Sequence, residues 1–362
     1  MGNSAGAGIA GGSAGASPVC GNAVLEKGEQ CDDGNTNSLD ACSASCAFEQ
    51  SQRANSIEQK FKTSSLCPKN AFGTAFEGVA QTALQAVLDQ RVESGSLSLL
   101  LAFRGLRDLS GMSPETIMLG MAYGTPSAAP SYDGKNDLDW WYTPATGQVD
   151  ESGVLYSNST GFLSDGVLDA APDSLRIPLF SDLPIYVSNI KVRLFLGDSS
   201  TPLASSGNAP GHLANEHLRP SLVSFTSGGP PPPANGDPGQ LCGGLSAGSL
   251  SGIAIPAAYA TGGASACIEG YSGSRSLLDL LVGGCNVGND ELVAATQPDQ
   301  ADPGAPVGGA GAPYRLTANA ITNAVTGCRD KANNFVSLAT CLNAAAYSSA
   351  YRLKTGRVII KQ

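Results

Sequence analysis

The sequence predicts a mainly β fold with packed helices (α+β), in which a disulfide-rich, antiparallel, sandwich-like domain follows a small cysteine-rich module. Short apolar runs alternate with Gly- and Pro-containing turns between residues 96 and 226, which is typical of antiparallel sheets. The 362 residues include 45 Gly and 22 Pro, and 42% are hydrophobic but only 14% are charged. Ten cysteines are dispersed along the chain without a CxxC pair, which indicates a disulfide framework made in an oxidising compartment.

The charge and the apolar runs exclude several classes of protein. The chain has 21 Lys and Arg against 31 Asp and Glu, a formal net charge of −10, and this acidity argues against nucleic acid as a partner. The richest apolar run, residues 97–103, is too short to cross a bilayer, so we expect no transmembrane segment. No secretory signal is visible. We expect that a leader, with or without a lipid anchor, has been removed.

The composition along the chain predicts four parts. A Gly/Ala/Ser tract has nothing to bury and predicts a flexible tether, and a run of four prolines cannot lie inside a sheet. Around Arg53–Lys62 we expect a short charged helix. The parts are, in order, the tether (1–19), the cysteine-rich module (20–50), a connector (51–66) and a β-rich, disulfide-tied domain (67–362) with an exposed Pro-rich loop at 228–238.

Apolar periodicity places the helices and strands of the large domain. Apolar residues recur at i, i+3 and i+4 from Thr74 to Val92, which predicts a helix packed on a sheet, with lipid contact as the alternative. Further helices are predicted at Arg275–Val282 and Ser337–Ala346, and a closing hairpin or long strand at Tyr351–Lys361. The predicted strands are Ser96–Phe103, Thr116–Tyr123, Trp140–Thr143, Gly166–Asp169, Leu175–Phe180, Ile185–Val187 and Ile190–Leu196.

The cysteine count predicts one long-range crosslink. The amino-terminal block contains an even number of cysteines, whereas an odd number lies beyond the Pro-rich loop. If the block pairs within itself, Cys67 must bond across that loop, which argues for one large domain rather than two. The cysteines expected to form disulfides are Cys20, Cys31, Cys42, Cys46, Cys67, Cys242, Cys267, Cys285, Cys328 and Cys341.

The cysteine-rich module also carries a dense set of oxygen ligands around a turn at Gly34. A segment this short cannot fold on a hydrophobic core, so it needs disulfides or a metal. Carboxylate and amide oxygens without histidine favour Ca²⁺ over zinc; the alternative is a solvated turn with Asx hydrogen bonds. The candidate calcium ligands are Glu29, Asp32, Asp33, Asn35, Asn37 and Asp40.

The same module resembles a known family. Residues 20–22 (CGN), 28–35 (GEQCDDGN) and 42–46 (CSASC) look like the myxobacterial cysteine-rich repeat, a DUF4215-like module of secreted and cell-surface proteins. The resemblance implies an extracellular, disulfide-bonded repeat with a structural ion and without catalysis. The remainder of the chain is similar to domains of secreted or surface myxobacterial proteins for which no activity can be carried over.

A second acidic loop precedes the aromatic run that begins at Trp140. Asp133, Asp137 and Asp139 alternate as ligands of a calcium loop do, but Lys135 occupies a ligand position. The preferred interpretation is an Asx-rich turn that opens a buried aromatic strand. The alternatives are a calcium site or an exposed aromatic platform for a glycan.

Signals for catalysis are weak, and we assign no catalytic residue. The chain has two histidines, His212 and His217, whose spacing matches no zinc-protease motif. Residues 244–248 (GLSAG) match GxSxG, but no strongly β-branched strand precedes them to form a nucleophile elbow. Ser246 paired with His217 is therefore only the candidate of an alternative hydrolase.

These features predict a secreted or cell-surface-tethered, non-catalytic binding or structural protein that is stabilised by disulfides and calcium. We expect an extracellular or outer-surface location, and an extracellular protein, a glycan or further copies of the chain as partners. One alternative is a secreted hydrolase, which requires a pocket that gathers carboxylates or Ser246 and a histidine. The other is an extracellular carrier of lipids or apolar ligands, which requires a long apolar cavity.

Overall fold

Strands dominate the computed structural model of the protein, which describes residues 18–24, 26–27, 29, 32, 34–36, 42, 44–46, 50–106, 113–127, 132, 140–150, 154–195, 197–198, 223–224, 239–255, 275–287, 289–301, 314–319 and 322–360. The strands are β1 (Gln50–Gln59), β2 (Ser98–Arg104), β3 (Glu115–Pro126), β4 (Trp141–Pro144), β5 (Ser157–Ser164), β6 (Val167–Ala170), β7 (Leu175–Ile177), β8 (Ile185–Phe195), β9 (Gly197–Asp198), β10 (Val223–Ser224), β11 (Gly239–Ser246), β12 (Cys285–Val287), β13 (Asp290–Val293), β14 (Gln300–Ala301), β15 (Tyr314–Ala318), β16 (Val325–Asp330), β17 (Ala345–Arg357) and β18 (Ile359–Ile360). The helices are α1 (Ala71–Ala75), α2 (Val79–Glu93), α3 (Ala247–Ser251), α4 (Leu277–Gly283) and α5 (Leu338–Ala344).

Eight strands form a closed antiparallel barrel. Their order is β3-β2-β1-β17-β11-β8-β6-β5, and the circuit closes because β3 pairs with β2 along one edge and with β5 along the other. The predicted sandwich-like α+β arrangement is therefore wrong, since the protein is a barrel with few helices. Sandwiches and barrels require the same alternation of inward and outward residues along a strand, so the pattern alone does not separate them.

The barrel wall contains strands that hydrophobic alternation does not predict. Residues Gln50–Gln59 form β1, which pairs with β17 and β2, so the helix predicted at Arg53–Lys62 is wrong. The strand has the polar sequence QSQRANSIEQ, and its extended form depends on hydrogen bonds to strands that are distant in sequence. Pairing between strands overrides the local propensity here.

The long helix predicted from Thr74 to Val92 is two helices. α1 ends at Ala75 and α2 begins at Val79, after Gly78 with φ of 105°. A backbone in this conformation cannot continue a right-handed helix, and glycine adopts it readily. The expected apolar face is present, since Leu84 and Leu88 are fully buried in the main core.

Helix α2 covers an edge of β1 that none of the described strands occupies. β1 pairs with β2 through residues 50–53 but continues to Gln59. Beyond that pairing, Gln85 of α2 donates from Nε2 to the carbonyl of Ile57 (3.0 Å) and accepts from the amide of Gln59 (2.9 Å). The side chain of Gln85 thus satisfies backbone groups that would otherwise lack partners in the wall.

A second apolar cluster lies on the outer face of β2 and β3. It contains Leu100, Ala122, Trp140 and Tyr142, all with no exposed surface. The guanidinium of Arg53, a residue only 2% exposed, lies 5.5 Å from the centre of the Tyr142 ring and donates to the carbonyl of Val92 at the end of α2. This buried cation therefore joins β1, α2 and the outer cluster.

The chain after β11 adds the short helices α3 and α5, which pack against β11, and the hairpin of β15 and β16, which packs against α4 and α5. The two helices predicted here are confirmed, as α4 and α5. Ser276 and Asp279 form a capping box at α4, and Ser337 caps α5 by accepting from Thr340. Serine caps of this kind satisfy the free amides of a first helical turn, so the boundaries of these helices follow from local sequence.

The described disulfides join cysteines that are 13 to 175 positions apart in the sequence. Cys67 is bonded to Cys242, Cys328 to Cys341 and Cys20 to Cys46, and Cys42 and Cys285 are also disulfide-bonded. None of the described cysteines is a free thiol. The predicted bond from Cys67 across the Pro-rich loop is confirmed, although residues 228–238 themselves lie outside the described residues. Among the described residues, no helix has both the length and the apolar character needed to cross a membrane.

Candidate functional site

Asp32 organises the amino-terminal module through its carboxylate. Oδ1 accepts hydrogen bonds from the amides of Ala23 (2.9 Å) and Gly34 (2.8 Å), and Oδ2 accepts from those of Gly21 (3.0 Å) and Asn22 (3.2 Å). Four backbone amides therefore converge on one carboxylate, as in an extended Asx turn. The disulfide between Cys20 and Cys46 closes the same segment, so a crosslink and one carboxylate replace the hydrophobic core that the segment is too short to form.

These hydrogen bonds lower the pKa of Asp32. Partial removal from water raises the pKa of the carboxyl, but the bonds from Gly34, Ala23, Asn22 and Gly21 outweigh it, and the pKa lies below its ordinary value of 3.8. Backbone donors favour the ionised form of a carboxyl group that accepts from them. Asp32 is therefore an anion at neutral pH, and its negative charge is stabilised by the four backbone amides of the turn.

The other candidate calcium ligands are only partly within the described residues. Glu29 is half-buried; its Oε2 accepts from the amide of Glu26 (2.8 Å), while Oε1 is buried with no hydrogen-bond partner among the described residues. Asn35 is half-buried next to the turn. Asp33, Asn37 and Asp40 lie outside the described residues.

Glu29, Asp32 and Cys46 also bring ligand-type atoms within 4.8 Å of one another. Cys46 is not available as a thiolate, because it is bonded to Cys20, and a metal ligand requires the deprotonated thiol. Only the two carboxylates remain, and Asp32 already accepts four hydrogen bonds. The oxygen chemistry is compatible with Ca²⁺ at Glu29, and the full ligand set stays a prediction.

The second acidic loop leads into buried aromatic residues. Asp133, Asp137 and Asp139 lie outside the described residues, so calcium binding there stays a prediction. Trp140 and Tyr142 are fully buried, and Trp140 Nε1 donates to the carbonyl of Ser127 (2.9 Å). The buried aromatic strand preferred from the sequence is confirmed, and neither ring offers a platform to a glycan.

Ser246 has the role of a helix cap. It ends β11 and precedes α3, so the strand–turn–helix order of a nucleophile elbow is present. However, its φ of −59° is unstrained, its hydroxyl accepts from the amide of Ser249, and the residue is only 7% exposed. A nucleophile elbow needs a sharp, strained turn that exposes the hydroxyl. His212 and His217, the possible bases, lie outside the described residues.

The described residues inside the barrel pack around a small void rather than a ligand-sized cavity. The void found there among the described residues has a volume of about 20 Å³ and is lined by apolar side chains such as Ile57, Leu99 and Leu353. One water needs roughly 10–15 Å³, whereas ligand cavities are typically about 300–1,000 Å³. The void therefore has no room for a lipid.

Two surface features of the carboxyl-terminal part were not identified from the sequence. Phe335 is 76% exposed, with the Arg329 guanidinium 3.7 Å from its ring centre. A pocket of about 250 Å³ is lined by residues that include Asn286, Glu291 and Asn323. No local motif marks either feature, because each depends on which side chains the fold leaves exposed or brings together. The only signal in the sequence is an isolated Phe in a run of polar residues (residues 329–335, RDKANNF).

The comparison with protein families supports the resemblance of the amino-terminal, cysteine-rich segment. A family model described as a domain of unknown function (DUF4215) matches residues 15–47. The segment is similar to DUF4215. The match covers under a tenth of the chain and includes the Cys20–Cys46 disulfide and the Asp32 turn. Neither the curated proteins nor the solved structures compared with the chain contain a match.

Proposed function

We propose that the protein is a secreted or cell-surface-tethered binding or structural protein that acts through its surface and not by catalysis. The observation that carries the proposal is a filled, disulfide-crosslinked barrel. Such crosslinks form and persist in oxidising, extracellular compartments, and a rigid filled barrel supports external loops and surfaces rather than an internal ligand. The DUF4215 segment, closed by its own disulfide, fits the same environment.

The two alternatives from the sequence receive no comparable support. A lipid carrier needs an apolar cavity of several hundred Å³, and the void of about 20 Å³ in the described barrel is far smaller. A hydrolase built on Ser246 needs that hydroxyl to be accessible beside a base, but it accepts a hydrogen bond from the amide of Ser249 at the start of α3. A binding protein needs neither feature.

Calcium belongs to the proposal as a stabiliser of the DUF4215 segment. Glu29 is the described residue best placed to act as a ligand, because one of its carboxylate oxygens is buried without a hydrogen-bond partner among the described residues. Asp32 would contribute indirectly by holding the turn in shape. The ion would neutralise acidic side chains at close range and so favour the folded loop.

Surface accessibility on the cells that make the protein tests the proposal. An antibody raised against the purified barrel is expected to label intact cells, or to detect the protein in the medium, and brief protease treatment of intact cells should remove the surface signal. A known cytoplasmic protein serves as the control for lysis. Detection only after lysis, in the cytosolic fraction, would contradict the proposal.

A further inference from the structure

The end of β16 and the turn that follows it carry an exposed aromatic ring, Phe335, beside a half-buried cation, Arg329. We call residues 329–335 the tip. Residues 331–335 are all exposed, and the Arg329 guanidinium lies 3.7 Å from the centre of the Phe335 ring, which is 76% exposed. Arginine and aromatic side chains are enriched among residues that dominate binding at protein interfaces. The fold does not need this ring for its core.

Hydrogen bonds and a disulfide fix the shape of the tip. The Asp330 carboxylate accepts from the amide of Asn334 (2.8 Å) and from its Nδ2 (3.1 Å), and Arg329 Nη1 donates to the carbonyl of Asn333 (2.8 Å). At the base of the tip, Cys328 is bonded to Cys341 of α5. A segment that is ordered before it meets a partner loses less conformational entropy on binding.

The pocket of about 250 Å³ offers the opposite charge. Glu291 and the side chain of Asn286 are exposed at its lining, and the end of α4 contributes Gly283 and Gly284. A Cβ atom at Gly283 would lie 2.7 Å from Cβ of Asn323, so glycine is needed for this wall to approach so closely. A carboxylate beside the carboxyl end of a helix favours a cationic group.

The tip and the pocket lie at opposite ends of one hairpin. Asn323, in the pocket wall, belongs to the turn between β15 and β16, whereas the tip begins at the far end of β16, where Tyr314 pairs with Asp330. The two ends are about 15 Å apart at roughly 3.3 Å per residue. Arg329 therefore cannot reach the pocket of its own chain, because the rigid hairpin separates them.

We propose that the tip of one copy of this chain binds the pocket of a second copy, with Arg329 beside Glu291 and Phe335 on the pocket rim. The inference rests on the proposed function and names its partner. Arg329 and Glu291 carry opposite charges, and their attraction at short range must exceed the long-range repulsion between two copies that each have a net charge of −10. Because the two surfaces differ, the contact is head-to-tail. It therefore links successive copies into open-ended oligomers unless it closes into a ring.

Sedimentation of the purified full chain from about 10 µM to about 500 µM tests the contact, since one small interface gives weak association. The wild type is expected to form dimers and longer oligomers in about 0.15 M salt, which screens the long-range repulsion between copies of net charge −10. Phe335→Ala and Glu291→Lys should each raise the dissociation constant about 30-fold. Leu183→Ala, which truncates another side chain that is 58% exposed, is the matched control.

A mixture of the two defective variants tests directly whether the tip of one copy binds the pocket of another. Phe335→Ala keeps its pocket and Glu291→Lys keeps its tip, so an equimolar mixture should form dimers but no longer species. A wild type that stays monomeric at the highest concentration, a mixture without dimers, or an equal loss in Leu183→Ala would overturn the inference. Binding to a glycan panel by a monomeric wild type, lost in Phe335→Ala, would overturn it too and assign the tip to a glycan. If the protein is monomeric but is found on the surface of intact cells, the head-to-tail contact is wrong and the proposed function is not contradicted.

Discussion

Cys67 and Cys242 are bonded to each other although 175 residues separate them in the sequence. The bond ties the segment that precedes α1 to β11, in the middle of the barrel wall, and both sulfurs are buried beside Ala350 of β17. It is therefore a crosslink within one folded unit. On its other side from β17, β11 pairs with β8, its neighbour in the barrel wall.

Replacing this disulfide should destabilise the barrel more than replacing a short-range one. In the chain-entropy model, a loop of this length contributes about 5 kcal/mol to the free energy of unfolding, against about 3 kcal/mol for a loop like that of Cys328 and Cys341, 13 residues apart. The double variants Cys67→Ser/Cys242→Ser and Cys328→Ser/Cys341→Ser are compared by urea unfolding. A larger loss for the second pair would contradict the assigned roles.

The parts of the fold that the sequence predicted are those with a local signal. Strand β8 shows clean alternation from Ile190 onward, helix α4 carries its own cap at Ser276, and the parity of the cysteines required a partner for Cys67 across the Pro-rich loop. Strand β1 was missed because Arg53 and its polar neighbours are buried by pairing and by the rings of the outer cluster, which no window of sequence contains. Barrel closure was missed for the same reason, since it depends on the pairing of β3 with β5.

The candidate sites were predictable to a lesser degree. The oxygen-rich turn around Asp32 was visible as a motif, but the use of its carboxylate by four backbone amides was not, because amide direction depends on the folded turn. The tip at Phe335 and the pocket at Glu291 depend on exposure and on convergence of distant segments. Neither property has a period or a spacing that could be recognised in advance.

Asp32 should make the amino-terminal module sensitive to acid. Its folded pKa is lower than 3.8, so its stabilising effect is complete above that value and is lost as the pH falls through the lower, folded pKa. The amide NMR signals of Gly21, Ala23 and Gly34 are expected to shift with a midpoint below 3.8. Asp32→Asn should abolish this titration and loosen the turn, whereas Asp173→Asn, at an exposed site, should not. A midpoint at or above 3.8 would refute the role given to Asp32.

Chelation should weaken the DUF4215 segment if it holds calcium. We expect the melting temperature of the segment, followed by its amide signals, to be lower in EDTA than in millimolar Ca²⁺, because an ion that binds only the folded form stabilises it. Glu29→Gln should remove most of this difference, with Asp173→Asn again as the control. Identical melting in EDTA and in Ca²⁺ would show that disulfides and Asp32 are sufficient.

Arg53 should contribute strongly to the free energy of unfolding, although charged residues usually lie on the surface and contribute little. Replacing it with Ala removes a buried cation from the Tyr142 ring and from the carbonyl of Val92, and leaves a cavity. We expect a loss of about 3 kcal/mol in the free energy of unfolding. Arg53→Lys should recover only part of it, since an ammonium lacks the planar shape. The exposed Lys191→Ala is the control, and a comparable loss there would contradict the assignment.

The account depends most on where and how the cysteines are oxidised. The direct measurement is to treat living cells of the natural source with a membrane-permeant alkylating reagent, isolate the protein under denaturing conditions and count modified cysteines by mass spectrometry. We predict that none of the ten is modified until a reductant is added. Recovery of the protein with several alkylated cysteines would mean that it resides in a reducing compartment, and would contradict an extracellular, disulfide-stabilised binding protein.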